Sequence, residues 1–258
     1  MAYSGQATPA FVRLAAHPLR WRLLNELVAS DYRVRELVER VDQPQNLVSY
    51  HLRLLRSSGL VRARRSSFDG RDSYYHLDLD RCAHALADTG AALHPALRLD
   101  PSPPSMMTAE PAERPAVLFT CTGNSARSPI AEALLRHHGA GHVQVTSAGS
   151  HPKPCLHPNT VRVLREMFGI DVAAQRPRHL DTLTGHQFGY VISLCDKVRE
   201  VCPEFPTHPR LIHWSIPDPA TSGDTNQASY PAFRRTAAEI DIRIRHLLPV
   251  LARTAQEA

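Results

Sequence analysis

The most reactive arrangement in this sequence is the run Cys121-Thr122-Gly123-Asn124-Ser125-Ala126-Arg127-Ser128, set between the apolar stretch AVLFT (Ala116 to Thr120) and Pro129. A short run of this kind fits a strand buried on both faces, and a proline suits a first helical turn. A strand-loop-helix of this length curls successive backbone N–H groups toward one point and aims a helix N-terminus at it, forming an oxyanion cradle. Cys121 is placed at the floor as a nucleophile, and the positive potential there is expected to hold it as a thiolate. Arg127 offers a planar fork for two oxygens of a tetrahedral oxyanion, and Ser128 a hydroxyl for the sulfur. A merely buried cysteine on a turn would leave the glycine, the arginine and the helix start unexplained together.

A loop nucleophile needs an acid for the leaving oxygen. Asp218, in HWSIPDPA, is the candidate: it follows the strand-like Leu211 to Trp214, and Pro217 and Pro219 stiffen its loop. Asp-Pro is also an ordinary turn dipeptide. Around these residues strands and helices alternate. HVQVTS (His142 to Ser147) and YVISL (Tyr190 to Leu194) read as strands. Asn159 to Phe168, with Val161, Leu164, Met167 and Phe168 inward, and about Tyr230 to Leu251, with Phe233, Ile240, Ile244, Leu247 and Leu251 inward, read as helices. Such alternation predicts a doubly wound parallel sheet with the loop at the carboxyl ends of its strands.

The 258 residues are 43% hydrophobic and 21% charged, with net charge +5, which excludes wholesale disorder. No stretch approaches the roughly 18 apolar residues of a membrane span, and Met1 to Ser30 lacks the order of a signal peptide, so a cytoplasmic protein without membrane contact is expected. Five cysteines are too few for a disulfide framework. Leu99 to Pro115 holds five prolines in seventeen positions without apolar periodicity. The division expected is a first domain at 1–95, a proline-rich linker at 96–115 and a second domain at 116–258, hence a multidomain α/β chain.

In the first domain, Leu19, Leu23, Leu24 and Leu27 follow Pro18 at helical spacing, and Val34, Leu37, Val38 and Val41 give a second helix. After the turn at Asp42 to Pro44, a third helix runs to about Ser57. It turns Leu47, Val48, Leu52 and Leu55 to a core and Gln45, Asn46, Ser49, Tyr50 and Arg53 outward, and Gly59 ends it. Leu60 to Arg65 and Ser73 to Leu77 alternate as a hairpin closed at Asp69-Gly70. Helix, tight turn, polar-faced helix and basic hairpin form a winged helix-turn-helix. Arg53, Arg62, Arg64, Arg65 and Arg71 would meet phosphates, and Gln45, Asn46, Ser49 and Tyr50 would read bases. A solvated basic hairpin on a small helical core is the other reading.

The strings HPLRWRLLNEL, NLVSYHLRLLRSSGLVRARR and GRDSYYHL resemble the ArsR/SmtB-type winged-helix repressors. The resemblance implies a homodimer on palindromic operator DNA, released by a metal or metalloid. The paired cysteines that soft-metal sensors often carry before the recognition helix are absent from DYRVREL (Asp31 to Leu37), and Cys82 is a lone thiol beyond the wing. CTGNSARSPIAEALL, SAG (Ser147 to Gly149) and DPA resemble the low-molecular-weight protein tyrosine phosphatase fold, which includes arsenate reductases. By motif position this implies Cys121 as nucleophile, Arg127 as oxyanion clamp and Asp218 as general acid on arsenate or phosphate.

Cys195 and Cys202, with six residues between them, follow the YVISL strand, as in thioredoxin-coupled arsenate reductases. That resemblance implies a relay in which Cys195 attacks the Cys121 adduct and Cys202 resolves the product into a Cys195–Cys202 disulfide. The relay implies no tightly bound cofactor, no metal, and an external reductant such as thioredoxin or another thiol. Two features depart from the reductases. Ala126 stands where a second loop cysteine is common, and Gln175 to Leu180 is basic where relatives carry an aspartate for a potassium ion whose other ligands match Asn124, Glu132 and Ser147. A tyrosine phosphatase tethered to a regulator, and a repressor whose catalytic fold only senses an oxyanion, are the alternatives. A zinc half-site of Cys195 and Cys202 with His151, Cys155 and His157 is disfavoured for want of a close cysteine pair.

Overall fold

A computed structural model of the chain describes residues 8–68, 70–101, 114–183, 185–199 and 208–257. They form two compact units.

The first unit contains α1 (Ala10–Ala15), α2 (Pro18–Ala29), β1 (Tyr32–Arg33), α3 (Val34–Val41), α4 (Gln45–Ser57), β2 (Val61–Arg65), β3 (Ser73–Leu77) and α5 (Leu79–Leu93). Pro18 opens α2 at a position where no backbone donor is needed, and His17 Nδ1 caps it by accepting from the Leu19 N–H at 3.2 Å. Asp42, with φ of 48°, ends α3 in the left-handed region, and α4 starts directly after Pro44. Leu19, Leu23, Leu24 and Leu27 of α2 pack with Leu37 and Val41 of α3 and Val48, Leu52 and Leu55 of α4. β3 pairs antiparallel with β2 from Val61↔Leu77 to Arg65↔Ser73, and with β1 on its other edge.

The core assignment for α4 needs one correction. Leu47 is exposed, and His51, not expected in the core, is buried. Leu47 lies in the first turn of α4, where it lines an open cavity beside Pro18, Leu19 and Arg22 of α2 and is not covered by that helix. One turn later the His51 ring meets the His17 ring at a centroid distance of 4.3 Å.

The second unit contains β4 (Ala116–Cys121), α6 (Arg127–His138), β5 (Gln144–Gly149), α7 (Pro158–Phe168), β6 (Tyr190–Ser193), α8 (Asp196–Arg199), β7 (Arg210–His213) and α9 (Asn226–Glu257). The sheet is parallel throughout, in the order β5-β4-β6-β7. Its apolar runs are explained by burial on both faces. Val117, Phe119, Tyr190 and Ile192 join the core made with α6, α7 and α9. Leu118, Ala148 and Val191 face the other way, against Leu180, Leu183 and Phe188. With β4 central, the turn after Cys121 falls at the carboxyl edge of the sheet.

Candidate active site

β4 delivers Cys121 to its last position, and α6 begins at Arg127, so residues 122–126 close the gap as a tight loop. Asn124 adopts φ of 43°, a strained conformation for a residue with a side chain, held by its own hydrogen bonds. Its Oδ1 accepts from the Arg178 N–H at 2.7 Å, and its Nδ2 donates to Ser128 Oγ at 2.9 Å and Ser147 Oγ at 2.8 Å. From outside, His151, Lys153 and His157 N–H groups donate to the carbonyls of Thr122, Gly123 and Ser125. Gly149 is needed for close approach: a Cβ there would lie 2.6 Å from the Thr122 carbonyl oxygen. Thr122, Gly123, Asn124, Ser125, Ala126, Arg127 and Ser128 thus form one loop around Cys121.

Cys121 is buried, and its Sγ lies 3.0 Å from Ser128 Oγ. Burial pushes this thiol above its ordinary value. The Arg127 charge and the Ser128 hydroxyl and N–H pull it down but do not prevail. This runs against the expectation of a resting thiolate: burial away from water outweighs the Arg127 charge, and the neighbouring Cys195 adds to the rise. Arg127 Nη2 pairs with Asp218 Oδ2 at 2.8 Å, and Nη1 donates to the Ile216 carbonyl at 3.0 Å. Its Nε is buried and has no hydrogen-bond partner among the described residues. An oxyanion can take that donor and compete with Asp218 for the guanidinium, which would free the carboxyl group.

Asp218 also caps the following turn through the Ala220 N–H at 3.1 Å. Cys195, two residues past the end of β6, is buried, and its Sγ lies 3.3 Å from Thr122 Oγ1, beside the loop. The structure therefore brings Cys121, Arg127, Asp218 and Cys195 together. Cys202 lies outside the described residues. Cys155 is exposed, and His157 Nδ1 accepts from the Asn159 N–H while its ring stacks on Phe233. Among the described residues no group of three or more metal-ligating side chains occurs.

Asn124, Glu132 and Ser147 do meet, but they do not fit a bound potassium ion. Ser147 and Gln175 donate to Glu132 Oε2, Arg136 donates to Oε1, and the Arg178 N–H holds Asn124 Oδ1, so N–H and O–H donors fill the oxygens a cation would need. The role of Arg136 left no mark in the motif, because an i,i+4 partner on a helix has no spacing that separates it from an ordinary surface pair.

In the first unit, Gln45, Asn46, Tyr50 and Arg53 are exposed on α4 and Ser49 is half-buried. Arg62, Arg65 and Arg71 are exposed on the hairpin and Arg64 is half-buried; Arg62 pairs with Asp78 at 2.6 Å. Asp69 of the expected turn lies outside the described residues, and Gly70 has φ of 65°. Cys82 sits inside α5, where burial pushes its thiol up to about 12. A thiol so protonated is a poor metalloid ligand.

Residues 116–257 match the family described as "Low molecular weight phosphotyrosine protein phosphatase", and residues 17–63 match "Bacterial regulatory protein, arsR family". Over 131 residues the chain is 36% identical to an arsenate reductase of Shouchella clausii strain KSM-K16, covering 50% of this chain and 91% of that protein. It is 32% identical over 133 residues to an arsenate reductase of Bacillus subtilis strain 168, covering 52% of this chain and 94% of that one. Among solved structures, an arsenate reductase from Archaeoglobus fulgidus DSM 4304 is 30% identical, with a TM-score of 0.43, over 52% of this chain and 98% of that one. By the extent of the first match, the chain belongs to the low molecular weight phosphotyrosine protein phosphatase family, with an arsR-type helix-turn-helix segment preceding the phosphatase-like region.

Proposed function

We propose that the second unit reduces arsenate to arsenite by a thiol relay. The observation that carries this reading is the placement of the Cys195 sulfur against Thr122, the residue next to Cys121, at 3.3 Å from its hydroxyl. Hydrolysis of a phosphate ester has no use for a second thiol there. The oxyanion enters the loop and draws Arg127 away from Asp218. Cys121 gives up its proton as the sulfur bonds to arsenic, and Asp218 protonates the departing oxygen, which leaves as water. Cys195, as thiolate, attacks the Cys121 sulfur; the sulfur–arsenic electron pair stays on arsenic, which leaves as arsenite, two electrons richer. Cys202 then attacks Cys195, freeing Cys121 and leaving a Cys195–Cys202 disulfide. An external dithiol such as thioredoxin returns the pair to thiols. No tightly bound cofactor takes part.

The first unit, on this reading, binds operator DNA as a homodimer, with α4 in the major groove and the arginine-bearing hairpin on phosphates. Domain limits of 1–95 and 116–258 joined by a linker at 96–115 complete the proposal. Tyrosine phosphatase activity is the second reading, supported by the basic Arg176 and Arg178 and by Ala126 in place of a loop cysteine. The two separate on one variant. Cys195→Ser is expected to lose multiple-turnover arsenate reduction with thioredoxin while keeping aryl phosphate hydrolysis. Reduction that persists in this variant sinks the relay.

A further inference from the structure

Behind the loop a chain of hydrogen bonds runs from an α6 carboxylate to the Cys121 sulfur, and every link as far as Ser128 has its direction fixed. Glu132 is fully buried. Its Oε2 accepts from Ser147 Oγ at 2.5 Å and from Gln175 Nε2 at 2.7 Å, and its Oε1 accepts from Arg136 Nη2 at 2.5 Å, with Arg178 Nη2 4.0 Å away. Ser147 spends its single hydrogen on Glu132 and can only accept from Asn124 Nδ2. The Arg178 N–H on Asn124 Oδ1 settles which end of that amide is which, so its other N–H donates to Ser128 Oγ. Accepting from Asn124 leaves Ser128 its own hydrogen, which it can give to the sulfur 3.0 Å away when that sulfur ionises.

The direction of the whole chain depends on Glu132 remaining a pure acceptor in a buried place, which requires a positive partner and further donors. Arg136, one turn later on α6, supplies the charge. Gln175, from the segment after α7, supplies a second donor. We propose that Arg136 and Gln175 are positioning residues for Cys121: they stand in for a bound monovalent cation and aim the Ser128 hydroxyl at the sulfur without one. The proposal rests on the reading of Cys121 as the nucleophile. It concerns the sulfur itself and not arsenic chemistry.

The test measures iodoacetamide alkylation of Cys121 by peptide mass across pH in the full-length protein, alongside kcat and KM for aryl phosphate. Both are run in potassium chloride and in tetramethylammonium chloride at equal ionic strength. The wild type is expected to behave alike in the two salts. Arg136→Ala and Gln175→Ala are each expected to slow alkylation at fixed pH by about tenfold, the loss of one hydrogen bond to an anion, by moving the profile about one pH unit upward. In both variants kcat falls more than KM rises, and Arg136→Lys restores most of the rate. The proposal is overturned if the alanine variants keep the wild-type profile, or if the wild type itself needs potassium. Alkylation does not involve arsenate, so the inference can fail while reduction stands, and the converse.

Discussion

Replacing Gly149 by alanine puts a methyl carbon 2.6 Å from the Thr122 carbonyl oxygen, 2.9 Å from the Asn124 nitrogen and 3.0 Å from Asn124 Cβ. Ordinary contact begins at 3.4 Å, so the loop or the strand end must move by several tenths of an ångström. Neither can retreat freely. Gly149 lies opposite Cys121 in the β4–β5 register and donates its N–H to the Arg178 carbonyl at 2.9 Å. The Thr122 carbonyl in turn accepts from the His151 N–H at 2.8 Å. Displacement therefore falls on residues 122–124, which form the cradle. Overpacking of this kind costs about 1–3 kcal/mol of stability, and a misplacement approaching 1 Å costs about 100-fold in rate. The variant is expected to fold with a lowered Tm, to lose one to two orders of magnitude in kcat/KM for both arsenate and aryl phosphate, and to lose most of the thermal stabilisation given by inorganic phosphate. Wild-type kcat/KM together with undiminished phosphate stabilisation would refute the argument that this glycine sets the loop.

Two further outcomes concern the first unit. Arg53→Ala and Arg65→Ala should each reduce the slope of log affinity against log salt for duplex DNA by about 1.8, one lost contact in each subunit of the homodimer, whereas Arg62→Ala should change it least, because Asp78 already holds that guanidinium; equal effects at all three sites would contradict the assignment. The Cys82 thiol, raised to about 12 by burial with Asp78 acting the same way, keeps its proton in the fold. Its contribution to stability is complete below the unfolded value of about 8.5 and is lost as pH climbs from there toward the folded value. Denaturant unfolding near neutrality and again near pH ~10 should show a smaller alkaline loss for Cys82→Ala than for the wild type, and identical losses would show that this thiol is not protected.

The strand-loop-helix at Cys121 was legible in sequence because each residue type there answers a local backbone demand: buried β4, a turn that admits the Asn124 conformation, and a helix start. The helices around Leu19 to Leu55 and the α9 core positions follow from spacing alone. Less could be read where partners come from far along the chain. Leu47 satisfies the helical period of α4 yet stays exposed, and His51 is buried, because what α4 packs against is decided by the distant His17. The basic loop suggested a thiolate, but at Cys121 burial, to which Cys195 from far along the chain adds, outweighs the Arg127 charge. α1, α5 and the two-residue β1 were not foreseen. β1 is defined by pairing with β3 rather than by its own residues. Among the described residues no helix is long and apolar enough to cross a membrane.

The relay stands or falls on which sulfurs become joined. After the fully reduced protein is given arsenate without an external reductant and the remaining thiols are trapped, peptide mass mapping should find Cys195 linked to Cys202, Cys121 carrying the trap, and one arsenite released per linked chain. Arsenite formed while Cys195 and Cys202 both carry the trap would contradict the account, as would a failure to form arsenite by protein that still cleaves aryl phosphate.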